Sequence, residues 1–436
     1  MRICMVTTFF GPHATGGDAV YVDRLARALL ARGHDVEVIH DGDAFAAAGD
    51  GVGTPDYEPP DGLVVHTLRS ALGPLSPLWT HQTGGPGPTA RELRRLLEGG
   101  RFDAVHFHNI SLIGGPGAIR AAARLGAVRL MTLHEHWLVC PLSLLWKLDR
   151  EPCERPQCGR CTLNARRPPQ PWRRTGRIER ALADLDALLS PSASATAIHR
   201  ARGIRTPIVQ LGHLVPDGWA QPGEPAPAPA RPYLAAAGRL VREKGFEDLA
   251  RVMRRLPGVD LRIAGAGPLE RELRGQAAEL PNVELAGRLG APALAELFAG
   301  ALALVAPSLF PETFGYVVLE AASAGTPAIV RRRGALPELV ERIGAGLTFA
   351  TEDELVAAVT ALASDPALRR RMGEDARAGA VREGDEDRHV DRYLEIVEEC
   401  AGRRGSGVAS GSRPASTMPR RGDAWPSDEL SPQLPA

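Results

Sequence analysis

The chain has 436 residues, with 52 basic against 52 acidic side chains and no formal net charge. Apolar residues make up 44% and charged residues 24%, a globular balance that excludes a collagen-like, coiled-coil or wholly disordered chain. Neutrality argues against a general nucleic-acid binder, and no run approaches the roughly 18 apolar residues of a membrane helix. The N-terminal MRICMVTTFFGP lacks the apolar core and cleavage site of a signal peptide, so the cytoplasm is the expected address.

The length predicts two domains of similar size. MRICMVTTFF reads as a buried strand, GPHATGGD as a glycine loop, and VYVDRLARALLARG as a helix with Gly33 just past its end. Strands follow at DVEVIH, FDAVHFHNI, VRLMTLHEHW and DALLSPSA, with helix-length segments such as GAIRAAARLG between them. This alternation predicts a parallel sheet covered by helices on both faces. Residues 221–232, QPGEPAPAPARP, read as a Pro/Ala linker between a first domain at 1–220 and a second at 233–401. The second repeats the rhythm in five strands, YLAAAGRL, VDLRIAGAGP, NVELAGRL, ALALVAPSL and TPAIVRRR, and is expected to end in the helix DRHVDRYLEIVEECA. Residues 402–436 lack periodicity and read as a disordered tail. Two doubly wound halves imply a cleft between them, with ligands at the carboxyl ends of the strands.

Three turns of the second domain carry chemistry at those ends. In GRLVREKG, Arg239 and Lys244 can grip a diphosphate, and Lys244 is one of only two lysines in the chain. In GAGP, Gly265 and Gly267 allow close backbone approach to a ligand, although a plain tight turn explains them equally well. PETFGYVVLE sets Glu312 and Glu320 eight positions apart, about 12 Å if helical. Each carboxylate suits a pair of sugar hydroxyls, and the helix start between them, at Phe314 and Gly315, offers N–H groups to phosphates.

Together GRLVREKG, GAGP and PETFGYVVLEAASAGTPAIV resemble the donor half of the retaining group-1 (family four) glycosyltransferases. The similarity runs over roughly residues 1–400. It implies the GT-B fold, α/β with two Rossmann-like domains facing a cleft, and transfer of a sugar from a nucleotide-diphosphate sugar with retention of configuration. It also implies roles by position. Glu320 holds the nucleotide ribose, Glu312 lies at the donor sugar, and Arg239 and Lys244 bind the diphosphate. Gly16 and Gly17 match a Gly-Gly loop near the phosphates and acceptor, and His134 a histidine beside the donor sugar, where the family has Asp in place of Glu135. LVPDGW matches a Pro-Asn-Gly turn, with Asp217 in the Asn position. Such enzymes need no metal for catalysis, and the Asp-x-Asp pairs at 41/43 and 184/186 read as structural. A nucleotide-sugar epimerase and a non-catalytic nucleotide-sugar sensor are the alternatives.

Cys140, Cys153, Cys158 and Cys161 fall in the pattern C-x12-C-x4-C-x2-C. In a cytosolic chain this predicts a metal knot, first a structural zinc held by four thiolates, with an iron–sulfur cluster, free thiols or a redox pair as alternatives. The knot would pin a long loop over the acceptor side. Directly after it, Arg160, Arg166, Arg167, Arg173, Arg174 and Arg177 accompany Trp172 without an acid. That stretch could meet an anionic acceptor or the headgroups of the inner membrane face, or be a solvated loop. Donor base, sugar and acceptor are not legible.

Overall fold

The structure is a computed structural model that describes residues 1–14, 16–48, 57–214 and 231–405. The first domain holds β1 (Arg2–Val6), β2 (Asp35–Asp41), β3 (Val64–Leu68), β4 (Ala104–Phe107), β5 (Val128–Thr132), a small antiparallel hairpin of β6 (Trp146–Lys147) and β7 (Glu151–Pro152), β8 (Ala187–Ser190) and β9 (Ile208–Gln210). Apart from the hairpin these form one parallel sheet of order β3-β2-β1-β4-β5-β8-β9. In the second domain β10 (Tyr233–Ala237), β11 (Asp260–Ala264), β12 (Val283–Gly287), β13 (Ala303–Ala306), β14 (Ala328–Arg331) and β15 (Gly346–Phe349) pair in parallel as β12-β11-β10-β13-β14-β15. Both are Rossmann-like sheets, whose order reverses between β1 and β4 and between β10 and β13. Ligands bind at the carboxyl ends of the strands flanking such a reversal.

Alternation along the strands separates the cores. Cys4 and Val6 of β1 enter one apolar layer of the first domain, while Ile3 and Met5 enter the layer on the opposite face. In β10, Tyr233 and Ala235 point to one side and Leu234 and Ala236 to the other. Helices cover all four faces because each sheet is buried on both sides.

Three expectations change. The segment expected as a glycine loop is a short 3-10 turn at Gly11–His13 followed by the helix Gly16–Ala31, so Gly16 and Gly17 occupy a helix's first turn. Strands β3, β9 and β15 join those read from the sequence. The helix Glu386–Gly405 does not complete the second domain. Its Val390, Tyr393, Ile396, Val397 and Cys400 lie in the first domain's core beside Tyr21, Val22 and Leu25. It also runs through Gly405, past the start expected for the tail. Residues 221–230 of the linker, Asp217 and the rest of the tail lie outside the described residues.

The loop from 133 to 186 also differs. All six cysteines are free, and among the described residues no group of three or more His, Cys, Asp or Glu side chains is placed to hold a metal ion. Cys140 and Cys153 instead pack in a small apolar cluster with Leu145 and Ile198. Burial, then the neighbouring thiols, pushes the Cys153 thiol up to about 11, so the four cysteines lie within electrostatic reach of one another. With no group among the described residues placed to hold a metal ion, the zinc knot and its iron–sulfur alternative are set aside. What pins the loop is Arg173, whose guanidinium lies 4.9 Å from the Trp137 ring centre and 5.0 Å from that of Trp172 and donates to the Trp137 carbonyl at 2.9 Å. Trp172 is buried in the first domain's core, so it is not a surface aromatic of the Arg-rich stretch.

Candidate active site

The site is assembled at the two sheet reversals. After β10 the chain turns through Gly238 and Arg239 into a 3-10 turn, Arg242–Lys244. After β13 comes the segment Pro307–Gly315, and then the helix Tyr316–Ser323. Lys244 Nζ donates to Glu312 Oε1 at 2.8 Å, and the Ser308 hydroxyl donates to the same oxygen. The Leu309 N–H donates to the Glu243 carbonyl at 2.7 Å, fastening the two turns to each other. Glu312 is buried, and its charge is matched by the Lys244 ammonium. Arg239 is exposed and, among the described residues, has no carboxylate in an ion pair with it.

Backbone geometry explains the glycines. Gly315 sits at φ 104°, and a Cβ there would lie 2.5 Å from Leu336 Cδ2, so only glycine can start this helix here. A Cβ at Gly265 would collide with the Gly238 carbonyl, and one at Gly267 would lie 2.5 Å from the Leu240 carbonyl. These two glycines thus bring the GAGP turn against the Arg239 turn. Gly17 faces the second domain, where a Cβ would meet the Tyr316 ring at 2.8 Å.

His134 lies at the end of β5 on the other wall. It shares a hydrogen bond between its Nε2 and His108 Nδ1 at 3.0 Å and stacks on His213 at 4.9 Å. His213 stacks in turn on Tyr316 at 5.4 Å, within 12° of parallel. Burial lowers the His134 imidazole to about 3, so it is neutral at physiological pH. Glu320, on the Tyr316–Ser323 helix, is raised to about 7 by burial. Glu135 also reaches about 7, through burial and then the Asp18 charge. Phe314 is buried in the second domain's core and packs against His213 and Tyr316.

The expected site residues therefore come together around the two reversals, except the cysteines. Asp18, His213, Ser308 and Tyr316 were not read from the sequence, because their partners are remote in the chain. Asp41 caps its own turn, its carboxylate accepting the Asp43 and Ala44 N–H groups at 2.9 Å, while the Asp43 carboxylate accepts the Ser70 N–H at 2.7 Å. Asp184 and Asp186 accept from Arg120 and from the Arg129 N–H.

Two family models match the chain, Glycosyltransferase Family 4 over residues 15–215 and Glycosyl transferases group 1 over residues 219–379. A D-inositol 3-phosphate glycosyltransferase from Pseudarthrobacter chlorophenolicus is 29% identical over 403 residues, 85% of this chain and 87% of that one. An MMP alpha-(1->4)-mannosyltransferase from Mycolicibacterium hassiacum is 29% identical over 415 residues, 87% of this chain and 94% of its own. The solved sucrose-phosphate synthase of Thermosynechococcus elongatus superposes with a TM-score of 0.69 at 20% identity, covering 91% of this chain and 98% of that one. The chain belongs to the group-1 and family-four glycosyltransferases of the GT-B fold. Among the described residues no helix is long and apolar enough to cross a membrane.

Proposed function

We propose that the enzyme transfers a sugar from a nucleoside-diphosphate sugar to an acceptor hydroxyl with retention of anomeric configuration. The observation that carries this reading is the Lys244–Glu312 ion pair at a sheet reversal, with Arg239, which has no carboxylate partner among the described residues, just before it. Arg239, Lys244 and the N–H groups opening the Tyr316–Ser323 helix receive the diphosphate, and Gly265 and Gly267 let the turns that bear it approach each other. As the sugar–oxygen bond breaks, negative charge grows on the departing diphosphate, and fixed cations stabilise it most at that moment. Glu312 orients Lys244 and accepts from sugar hydroxyls, while Glu320 accepts from the ribose. Neutral His134 stands at the donor sugar, with Gly16 and Gly17 near the phosphates. The acceptor is a carbohydrate or cyclitol hydroxyl, in keeping with the relatives' names.

The test is thermal stabilisation by UDP, GDP, ADP and dTDP, with wild type and Glu320→Ala compared. Selective stabilisation by one base, lost in the variant, is expected. Arg239→Ala should weaken diphosphate binding far more than nucleoside binding. No stabilisation by any of the four, or equal losses for diphosphate and nucleoside, would refute these assignments. Retention is read from the anomeric configuration of the product by NMR.

A further inference from the structure

The helix Leu75–Thr83 turns the wrong side out. It buries Ser76 (1% exposed) and Thr80 (2%), yet exposes Leu75 (60%), Leu78 and Trp79 (52%), with Leu72 exposed just before it. Positions 75, 78 and 79 share one helical face, and a surface helix ordinarily turns such a face to the core. No Asp, Glu, Lys or Arg occurs from Ser70 to Ala90.

A cationic block adjoins it. The turn Pro171–Arg174 packs on this helix. Trp172 Nε1–H donates to the His81 carbonyl at 2.8 Å, and the Arg177 guanidinium donates to the Thr83 carbonyl. Burial, then the charges of Arg167 and Arg173, lowers the His81 imidazole, which places Arg167 near this helix. Arg166, Arg167, Arg174 and Arg177 are exposed, and among the described residues none is ion-paired with a carboxylate. No acid occurs from Arg155 to Ile178.

We propose that this face docks the enzyme on an anionic bilayer surface. Leu72, Leu75, Leu78 and Trp79 enter the boundary between headgroups and acyl chains, and the arginines meet the anionic headgroups. Charge complementarity selects this occupant. A second copy would be ill suited, since a two-fold contact through the same patch brings two arginine blocks together. Trp79 supplies the amphipathic ring that suits a membrane interface.

The experiment is vesicle flotation of the full chain with phosphatidylcholine alone and with a phosphatidylcholine–phosphatidylglycerol mixture. Wild type is expected to float with the mixture only. Leu75→Ser combined with Trp79→Ser, and separately Arg166→Gln combined with Arg167→Gln, should each reduce partition at least about 10-fold. Both variants should keep the wild-type melting temperature and nucleotide response, because the four positions are exposed. Wild type failing to float, or either variant floating as wild type does, overturns the proposal. So does a dimer in solution that the Leu75/Trp79 variant converts to monomer, which would assign the face to a second copy.

Discussion

Thr313 Oγ1 donates to the carbonyl of His134 at 2.7 Å, from the second domain to the first. Ser192 Oγ donates to the Thr313 carbonyl, and His136 Nε2 bonds the Pro311 carbonyl, each at 2.8 Å. The loop bearing Glu312 is thus shaped by both domains. Thr313→Val should cost about 1 kcal/mol of stability, and Ser192→Ala a similar amount. Because both bonds meet at one residue, denaturant melts of the double variant should depart from additivity by at least about 0.5 kcal/mol. Strict additivity would mean that the two bonds act independently.

Gly334 supports the same loop from behind. It sits at φ 63°, and a Cβ there would lie 2.6 Å from the Glu312 nitrogen. Gly33 has φ 78° but nothing within 4 Å. Gly33→Ala should therefore cost only the backbone strain, about 1 kcal/mol, whereas Gly334→Ala adds a collision with Glu312 and should cost more. Comparing the two melting temperatures checks this, and equal losses would contradict it.

Buried ionisable groups predict the response to pH. Burial holds His134 and His136 at about 3 and His199 and His389 at about 4, from 6.5. Their share of stability is intact above about pH 6.5 and is lost as pH falls toward those values. Glu320 acts in the opposite sense. Its pKa is raised from 4.5 to about 7, so its share is intact below 4.5 and lost as pH rises through 7. The imidazoles outnumber such acids, and the melting temperature should fall below pH 6.5. Glu320→Gln should raise it by about 2–6 °C at pH 8 and leave it unchanged at pH 4, where both side chains are neutral. An equal shift at both pH values would show that the carboxylate's charge is not the cause.

Arg173 joins Trp137 and Trp172, so Arg173→Ala should destabilise the first domain by about 1–3 kcal/mol and speed proteolysis between residues 140 and 170. Chelation with EDTA should leave the melting temperature of wild type unchanged. A drop accompanied by released zinc would restore the metal knot.

Ending the chain after Gly405 should preserve both melting temperature and transfer activity. Ending it after Gly384 removes Val390, Tyr393, Ile396 and Val397 from the first domain's core. Losses of about 2–5 kcal/mol for a single large aliphatic core side chain make soluble, folded protein unexpected from that truncation. Its recovery with a native melting temperature would be evidence against this packing.

The turns proposed to hold the donor were legible because each is a short continuous segment at a strand end. Strands β3, β9 and β15 were not, and each is a sheet edge. Half-exposed or only three or four residues long, they lack the unbroken apolar run of a central strand. The amphipathic pattern of residues 387–401 showed that one face is buried but not what buries it. Gly334 and Ser308 were silent because their partner, Glu312, is fixed only by the tertiary fold. The cysteine spacing does bring the four thiols near one another, yet among the described residues they form no group placed to hold a metal ion, and an arginine on two tryptophans braces the loop.

Because the helix Glu386–Gly405 belongs to the first domain, that domain is built from both ends of the described chain, and the second domain is in effect an insertion within it. The polypeptide crosses between the halves twice, once between Leu214 and Arg231 and again near Gly384. A body tethered at one point can swivel freely, whereas one tethered at two is left chiefly with rotation about the line joining them. The two crossings thus define one axis for any movement of the second domain relative to the first.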